Sequence, residues 1–254
     1  NWQECETLMR HVLELSPQHQ QAKRALAECC AEQGRYDEAK EDIYDLMNAA
    51  GGNQKRIYEL GQTLNEWNER LIVQREERMA EYPDDEENMR ELGWCYLQKD
   101  RHEDAVRICE SLPKTSANPY DYHNLCAKVY FSVDNYEASL PHLQSVVEIL
   151  QNTQPDGTEK TEKRLRKLPE FIQLMGNCLS QLGRTDEAAE KYEQALAMAP
   201  DNPEIVTNMG RLVFAQKDYK RAAELFEHLT VLMPGAYHGY YLLASALYEL
   251  NRDR

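Results

Sequence analysis

The side chains best suited to ionic chemistry are gathered in one basic run, residues 159–168. It holds five cations in an otherwise acidic chain: Lys160, Lys163, Arg164, Arg166 and Lys167. Such a run can form a secondary basic site that docks an acidic partner or another part of the parent protein, because opposite charges steer surfaces together. The alternative is a solvated helix face on which Glu and Lys side chains pair. A turn-rich loop at 152–158 precedes the run, so we expect an insertion at 153–168.

The spacings that catalysis or metal binding would require are missing from the sequence. His102-Glu103-Asp104 lacks the second His, four residues after the first, that a zinc protease needs, and no Gly-x-x-x-x-Gly-Lys phosphate loop occurs. The 7 cysteines are an odd number without disulfide spacing. Neighbouring residues on a helix point about 100° apart, so Cys29 and Cys30 do not make a metal site. We therefore expect no enzyme activity, no cofactor and no metal, and we expect reduced, buried thiols.

The charge balance limits the class of partner. The chain carries 44 Asp and Glu against 29 Lys and Arg, a net charge of -15. Because duplex nucleic acid is bound mainly through Lys and Arg on phosphates, this balance argues against a nucleic-acid partner. No run approaches the ~20 apolar residues of a membrane span. We therefore expect a cytoplasmic protein whose partner is neither nucleic acid nor membrane.

The elements that must position these side chains repeat every 34 residues. The recurring positions are Ile172, Met175, Gly176, Leu179, Ala188, Tyr192 and Pro200 in one copy and Val206, Met209, Gly210, Val213, Ala222, Phe226 and Pro234 in the next. The apolar spacing i, i+3, i+7 predicts amphipathic helices, and the fixed period predicts a solenoid. Glycine inside a helix costs ~1 kcal/mol relative to alanine. Two glycines at equivalent places therefore indicate a packing reason. We expect that the second helix of each pair crosses the first too closely at Gly176 and Gly210 for a side chain, and that Ala188 and Ala222 are the small residues of the second helix at this crossing.

This pattern of large-x-x-Leu-Gly-x-x-aromatic, then Ala-x-x-x-aromatic, then Pro, resembles the tetratricopeptide repeat. The resemblance implies an all-α fold, a right-handed superhelical solenoid of antiparallel helix pairs that spans 1–254 as one domain. The expected units are partial repeat 1–19, repeats 20–53, 54–85, 86–119, 120–152, 169–202 and 203–236, and partial repeat 237–254. Because the chain begins inside a repeat and without Met, we expect a fragment of a larger protein.

Residues 54–85 form a degenerate repeat. Their first-helix positions fit the pattern, but Asn65–Arg70 replaces the usual turn, and Arg75 and Arg78 stand where apolar residues are expected. Either two helices join through an unusual turn or they merge into one long helix. In both cases we expect this unit to be the weakest link of the solenoid.

The resemblance also implies a binding surface, because one stripe of each first helix lines the concave groove in this family. Carried over by the 34-residue register, the partner-binding candidates are Arg90, Trp94, Lys128, Phe131, Asn177, Arg211, Phe214, Tyr241 and Tyr248. Aromatic and Arg anchors among polar residues are typical of binding hot spots. The alternative for Phe131, Phe214 and Tyr248 is packing against neighbouring helices.

Some family members hold a chaperone's carboxylate tail with a clamp of asparagines and cations. Asn177 and Asn208 match the two asparagines, but Gln173, His238 and Leu242 occupy the places of the three cations.

Taken over the whole chain, the resemblance implies a non-catalytic protein–protein interaction scaffold that binds a peptide segment or a partner helix in its groove. The alternative is a regulatory or spacer arm of a larger multidomain enzyme or sensor, with the groove occupied intramolecularly.

Overall fold

The computed structural model describes residues 2–113 and 118–252, and all regular structure within them is α-helical. Parts of three expected units lie outside these described residues, namely residue 1, residues 114–117 and residues 253–254. The helices are α1 (Trp2–Leu15), α2 (Gln20–Glu32), α3 (Tyr36–Asn48), α4 (Gln54–Glu81), α5 (Glu86–Gln98), α6 (His102–Ser111), α7 (Pro119–Ser132), α8 (Tyr136–Asn152), α9 (Glu159–Leu165), α10 (Leu168–Gln181), α11 (Thr185–Met198), α12 (Pro203–Ala215), α13 (Tyr219–Leu232) and α14 (Tyr237–Arg252). Within this described part of the chain, none of the helices combines the length and the apolar character that crossing a membrane requires.

The chain divides into two compact units, Asn1–Asp100 and Arg101–Arg254. In the first unit, the degenerate repeat is one helix of 28 residues, α4. The stretch that replaces the usual turn contains neither Gly nor Pro, and Trp67 within it is buried, so the helix continues through it. Arg78, at an expected apolar position, instead pairs with Asp85 at 2.7 Å, and Asn88 donates a hydrogen bond to the Arg75 carbonyl at 2.9 Å.

The second unit is built from consecutive helix pairs, α7 with α8, α10 with α11 and α12 with α13, followed by α14. Short turns join the partners of each pair, so the two helices run antiparallel. The turn before α13 contains Lys217 in the left-handed region with φ 66°, and the Asp218 side chain then accepts a hydrogen bond from the Arg221 N–H at 3.1 Å. Asn202 caps α12 in the same way, and Pro203 occupies its first turn. These caps fix the start of α12 and α13, and with them the side chains that α12 presents.

The apolar faces of these pairs meet in two clusters. The first contains Leu143, Val146, Ile172, Met175, Ala195 and Ile205, and the second contains Val206, Met209, Ala222, Phe226, Leu229 and Ala246. Residues at the 34-residue spacing of the sequence, such as Met175 and Met209, are buried at equivalent places. The core is therefore a layer between helices and not a single centre.

The two repeat glycines lie where helices approach closely. A Cβ atom on Gly210 would lie 2.4 Å from Cε1 of Phe226, and one on Gly176 would lie 2.7 Å from Cε1 of Tyr192. Both distances are shorter than van der Waals contact, so the expectation that no side chain fits at these positions is confirmed. The group that fills the space is the aromatic ring one turn after Ala188 or Ala222, and not the small residue itself.

Candidate binding site

Three of the predicted groove residues lie together in one pocket of the second unit. The pocket has a volume of about 360 Å³ and lies between α7, α10 and α12. Its lining consists of Phe131, Tyr136, Asn177, Ser180, Gln181, Tyr192, Asn208, Arg211, Leu212 and Ala215. Phe131, Asn177 and Arg211 come from three successive first helices, so the repeat register brings residues that are distant in sequence to one place.

Polar side chains that line this pocket form a hydrogen-bonded network centred on Asn177. The hydroxyl of Tyr192 donates to Oδ1 of Asn177 at 2.6 Å, and Nδ2 of Asn208 donates to the same oxygen at 3.2 Å. Burial raises the pKa of Tyr192, with a smaller contribution from Cys178, which keeps the hydroxyl protonated as a donor. Because an amide oxygen has two lone pairs, both are used here. The orientation of the Asn177 side chain is therefore fixed, with its NH₂ group as its remaining hydrogen-bonding group.

Arg211 supplies the charge at this site. Among the lining residues, all of which belong to the described chain, it is the single ionised side chain, and it is exposed. One of its guanidinium nitrogens, Nη2, lies 2.9 Å from Nε2 of His238 on α14. Since a guanidinium can only donate, Nε2 of His238 is the acceptor in this contact. The site therefore presents one cation, amide groups and aromatic rings, a combination suited to binding a polar ligand.

The aromatic candidates differ in their surroundings. The ring of Phe131 lies edge-on to Tyr136 with centroids 5.5 Å apart and still lines the pocket. The ring of Phe214 lies edge-on to Tyr219 at 5.3 Å and packs against the second core cluster. On α14, Tyr241 and Tyr248 are 67% and 63% exposed. Phe131 therefore packs against Tyr136 and also lines the pocket, while the two tyrosines present open surface.

The remaining groove candidates lie on α7 and on α5. Lys128 is on α7, three residues before Phe131, and its side chain is exposed. Arg90 and Trp94 are on α5 of the first unit, where Arg90 lies 3.7 Å from Glu86 and Trp94 is half-buried. The role of these three as partner contacts remains a prediction.

The basic insertion contains the short helix α9, which packs against α7. Nη2 of Arg164 bonds both carboxylate oxygens of Asp121 at 2.8 and 2.9 Å, and its guanidinium lies 4.3 Å from the centre of the Tyr120 ring. Two other cations pair within the insertion: Lys163 with Glu159 at 2.7 Å, and Arg166 with Glu162 at 3.2 Å. Lys160 and Lys167 are exposed. The insertion therefore combines the expected Glu-to-Lys pairing with one contact to α7 that the sequence did not predict.

The structure also brings together two histidines that the sequence analysis does not relate to each other. Nδ1 of His123 on α7 and Nδ1 of His142 on α8 lie 2.9 Å apart. The Tyr122 ring lies edge-on to both imidazoles, and the Tyr130 ring stacks on His142. Burial, and then the charge of His123, lower the pKa of His142 to about 4, so the pair is neutral at physiological pH. Over the ranges that the structure describes, no group of three or more His, Cys, Asp and Glu residues is placed to hold a metal ion.

The chain is built from repeated antiparallel helix pairs, and the first helices of successive pairs share a pocket. This architecture defines the class of helical-repeat scaffolds. The sequence model of the tetratricopeptide repeat matches residues 1–60 and 179–244. Together with the helix-pair fold, this match shows that the chain is a tetratricopeptide repeat protein. Proteins of this family are generally non-catalytic scaffolds for protein–protein interaction.

The individual proteins that resemble this chain have low sequence identity to it. The crystal structure of YrrB, described as a TPR protein with an unusual peptide-binding site, is 16% identical with a TM-score of 0.57 over 79% of this chain and 89% of YrrB. The crystal structure of MamA is 14% identical with a TM-score of 0.56 over 68% of this chain and 92% of MamA. At these identities the likeness concerns the fold alone. Protein FlbA of Caulobacter vibrioides (strain ATCC 19089 / CIP 103742 / CB 15) is 29% identical over 142 residues, which are 54% of this chain and 23% of FlbA. The chain thus spans about a quarter of that curated relative.

Proposed function

We propose that this protein is a non-catalytic scaffold that binds an extended peptide segment of a partner protein in the pocket between α7, α10 and α12. The observation that carries the proposal is the convergence of Phe131, Asn177 and Arg211 from three successive repeats on one pocket. The similarity in fold to a peptide-binding protein, YrrB, is consistent with it.

The chemistry of the pocket fits a peptide. The NH₂ group of Asn177 can donate to a backbone carbonyl, and its fixed orientation lowers the entropy that binding costs. Arg211 is oriented by His238 and can form charge-assisted hydrogen bonds. Phe131 adds an aromatic surface that is already packed against Tyr136, so little side-chain freedom is lost on binding.

The proposal extends to the setting in which the scaffold works. All seven cysteines are free thiols, six of them buried, as is usual for proteins of a reducing compartment. We therefore place the interaction in the cytoplasm, with a protein and not nucleic acid as the partner, in keeping with the net charge of -15.

The test begins with a randomised dodecapeptide library displayed on phage and selected on the wild-type protein. The dissociation constant of each selected peptide is then measured by fluorescence anisotropy for wild type, Arg211→Ala, Phe131→Ala and Arg221→Ala. Arg221 is a matched control, because it is an exposed arginine on α13 that pairs with Glu193 at 2.9 Å and does not line the pocket. Arg211→Ala should weaken binding at least about tenfold, as truncation of a hot-spot residue does. Peptides that bind Arg211→Ala and Phe131→Ala as tightly as wild type would refute the proposed site.

A further inference from the structure

Helix α14 has two apolar faces, and one of them packs on α13. Gly239 and Ala246 lie on the packed face and are buried, and a Cβ on Gly239 would lie 3.5 Å from Cγ of Leu229. Within the described residues the second face is open to solvent, since the side chains at its two ends, Tyr240 and Leu247, are 50% and 44% exposed. This open face of α14 consists of Tyr240, Leu243, Ala244 and Leu247, which share one side of the helix.

The 34-residue period shows what covers the same face on α12. The four corresponding positions of α12 are all buried: Val206, Met209, Gly210 and Val213. Helix α13 covers them, and a Cβ on Gly210 would lie 2.4 Å from Cε1 of Phe226. Leu243 of the open face packs against the same core cluster. The open face therefore continues the interface between α12 and α13, and the element that fits it is a second helix.

The residue at the glycine position of a first helix goes with a particular side chain on the second helix. In each of the four helix pairs that lie inside one of the two units, glycine is followed sixteen residues later by an aromatic residue, and alanine by an aliphatic one. An alanine methyl takes up space that the ring fills beside a glycine, so a smaller side chain packs there. The pairs are Gly176 with Tyr192, Gly210 with Phe226, Ala127 with Leu143 and Ala27 with Ile43.

Helix α14 has alanine at this position, Ala244. A ring placed on it as Phe226 lies on Gly210 would collide with the methyl group, so Leu or Ile fits there instead. The second helices also carry a small buried residue four positions before the aromatic or aliphatic one, such as Ala222 in α13 and Ser139 in α8. The open face is therefore complementary to an amphipathic helix with the sequence small-x-x-x-Leu or small-x-x-x-Ile.

We propose that the open face of α14 binds an amphipathic helix of a partner protein, in which a small residue is followed four residues later by Leu or Ile. The bound helix lies antiparallel to α14, as α13 lies on α12, and covers the apolar side chains of Tyr240 and Leu247. The Tyr240 hydroxyl donates to the Pro234 carbonyl at 3.3 Å, which holds the ring in place for this contact. This surface is distinct from the pocket between α7, α10 and α12, so the inference goes beyond the proposed function and does not depend on it.

The experiment uses two fluorescein-labelled peptides with the α13 sequence Tyr219–Leu232, one unchanged and one with Phe226→Leu. Fluorescence anisotropy should show that the Leu peptide binds the wild-type protein at least about fivefold more tightly than the Phe peptide, because the ring overpacks against Ala244. In Ala244→Gly this preference should reverse, since glycine makes room for the ring as Gly210 does. Reversal of a preference between two peptides does not depend on how stable the variant is.

A matched pair of variants tests the location of the site. Leu247→Ala should weaken binding of the Leu peptide at least about fivefold, whereas Met198→Ala, which shortens a similarly exposed apolar side chain on α11, should leave it unchanged. Equal affinities of the two peptides for wild type and for Ala244→Gly, or unchanged binding to Leu247→Ala, would overturn the proposal. Sedimentation equilibrium of the protein alone should show a monomer. A dimer that Leu247→Glu dissociates would mean that a second copy of this chain occupies the open face, which would also overturn the proposal.

Discussion

Replacing Gly210 with alanine should destabilise the protein, although the same change stabilises most helices. In an exposed helix interior, alanine is favoured over glycine by ~1 kcal/mol. Here the new Cβ would lie 2.4 Å from Cε1 of Phe226 and 3.0 Å from its Cδ1 and Cζ atoms. Phe226 is only 1% exposed, so its ring has no free space into which to move. Overpacking of this kind costs ~1–3 kcal/mol, so we expect a net loss of ~1 kcal/mol in the free energy of unfolding.

The chain provides a matched control for this prediction. Gly61 lies inside α4, and a Cβ on it would meet no atom within 4 Å. Gly61→Ala should therefore stabilise the protein, by at most ~1 kcal/mol. Urea unfolding followed by circular dichroism should move the transition midpoint down for Gly210→Ala and up for Gly61→Ala. A second comparison uses Phe226→Leu, which should cost less in the Gly210→Ala background than in wild type, because the two changes share one space. Midpoints that rise for both glycine variants would refute the close approach of α12 and α13.

Three further predictions concern packing, protonation and local opening. Ala222 is fully buried, so Ala222→Leu should lower the free energy of unfolding by ~1–3 kcal/mol, measured by thermal or urea unfolding. Lys220→Leu on the exposed face should be nearly neutral. Equal effects of the two changes on stability would contradict the burial of Ala222. The pKa of His142 is about 4 in the folded state against an ordinary value of 6.5, so the unfolded chain takes up the proton first. Stability should then be complete above about pH 6.5 and should fall towards pH 4 by roughly 2 kcal/mol, a value already reduced for solvent screening of the partly exposed ring. In His142→Gln this part of the pH profile should flatten. Hydrogen exchange should show faster opening at 65–81 of α4 than in α12 and α13, and uniform protection would contradict a weak link there.

The helix pairs were predictable because their determinants are local and repeated. Apolar residues at helical spacing and a period of 34 residues indicate the pairs, and the glycines at 176 and 210 indicate where they approach closely. The family register also predicted groove residues from which the structure brings Phe131, Asn177 and Arg211 together. Residues 54–85 gave no single answer, because the repeat register requires a turn at 65–70 whereas the residues there include neither Gly nor Pro. In the structure, the burial of Trp67 goes with the continuous helix.

The contacts that sequence reasoning missed join residues that no short pattern relates. Arg164 and Asp121 are 43 residues apart, and their pairing depends on how the insertion folds back on α7. His123 and His142 are 19 residues apart on two helices of one pair, so their contact follows from the packing angle of α7 and α8 and not from spacing alone. A basic run and two single histidines are visible in the sequence, but their partners are defined only in three dimensions.

Because of Tyr192, some residues of the pocket can be substituted more easily than others. Its ring fills the space beside Gly176 in the core, while its hydroxyl holds Asn177 at the floor of the pocket. A substitution at Asn177 would therefore leave a buried phenol hydroxyl without its acceptor, and a substitution at Tyr192 would disturb the packing of α10 on α11. Arg211 is exposed and has no such tie to the core. During divergence or engineering, new specificities should therefore arise first by exchange at position 211, with Asn177 and Tyr192 changing together or not at all.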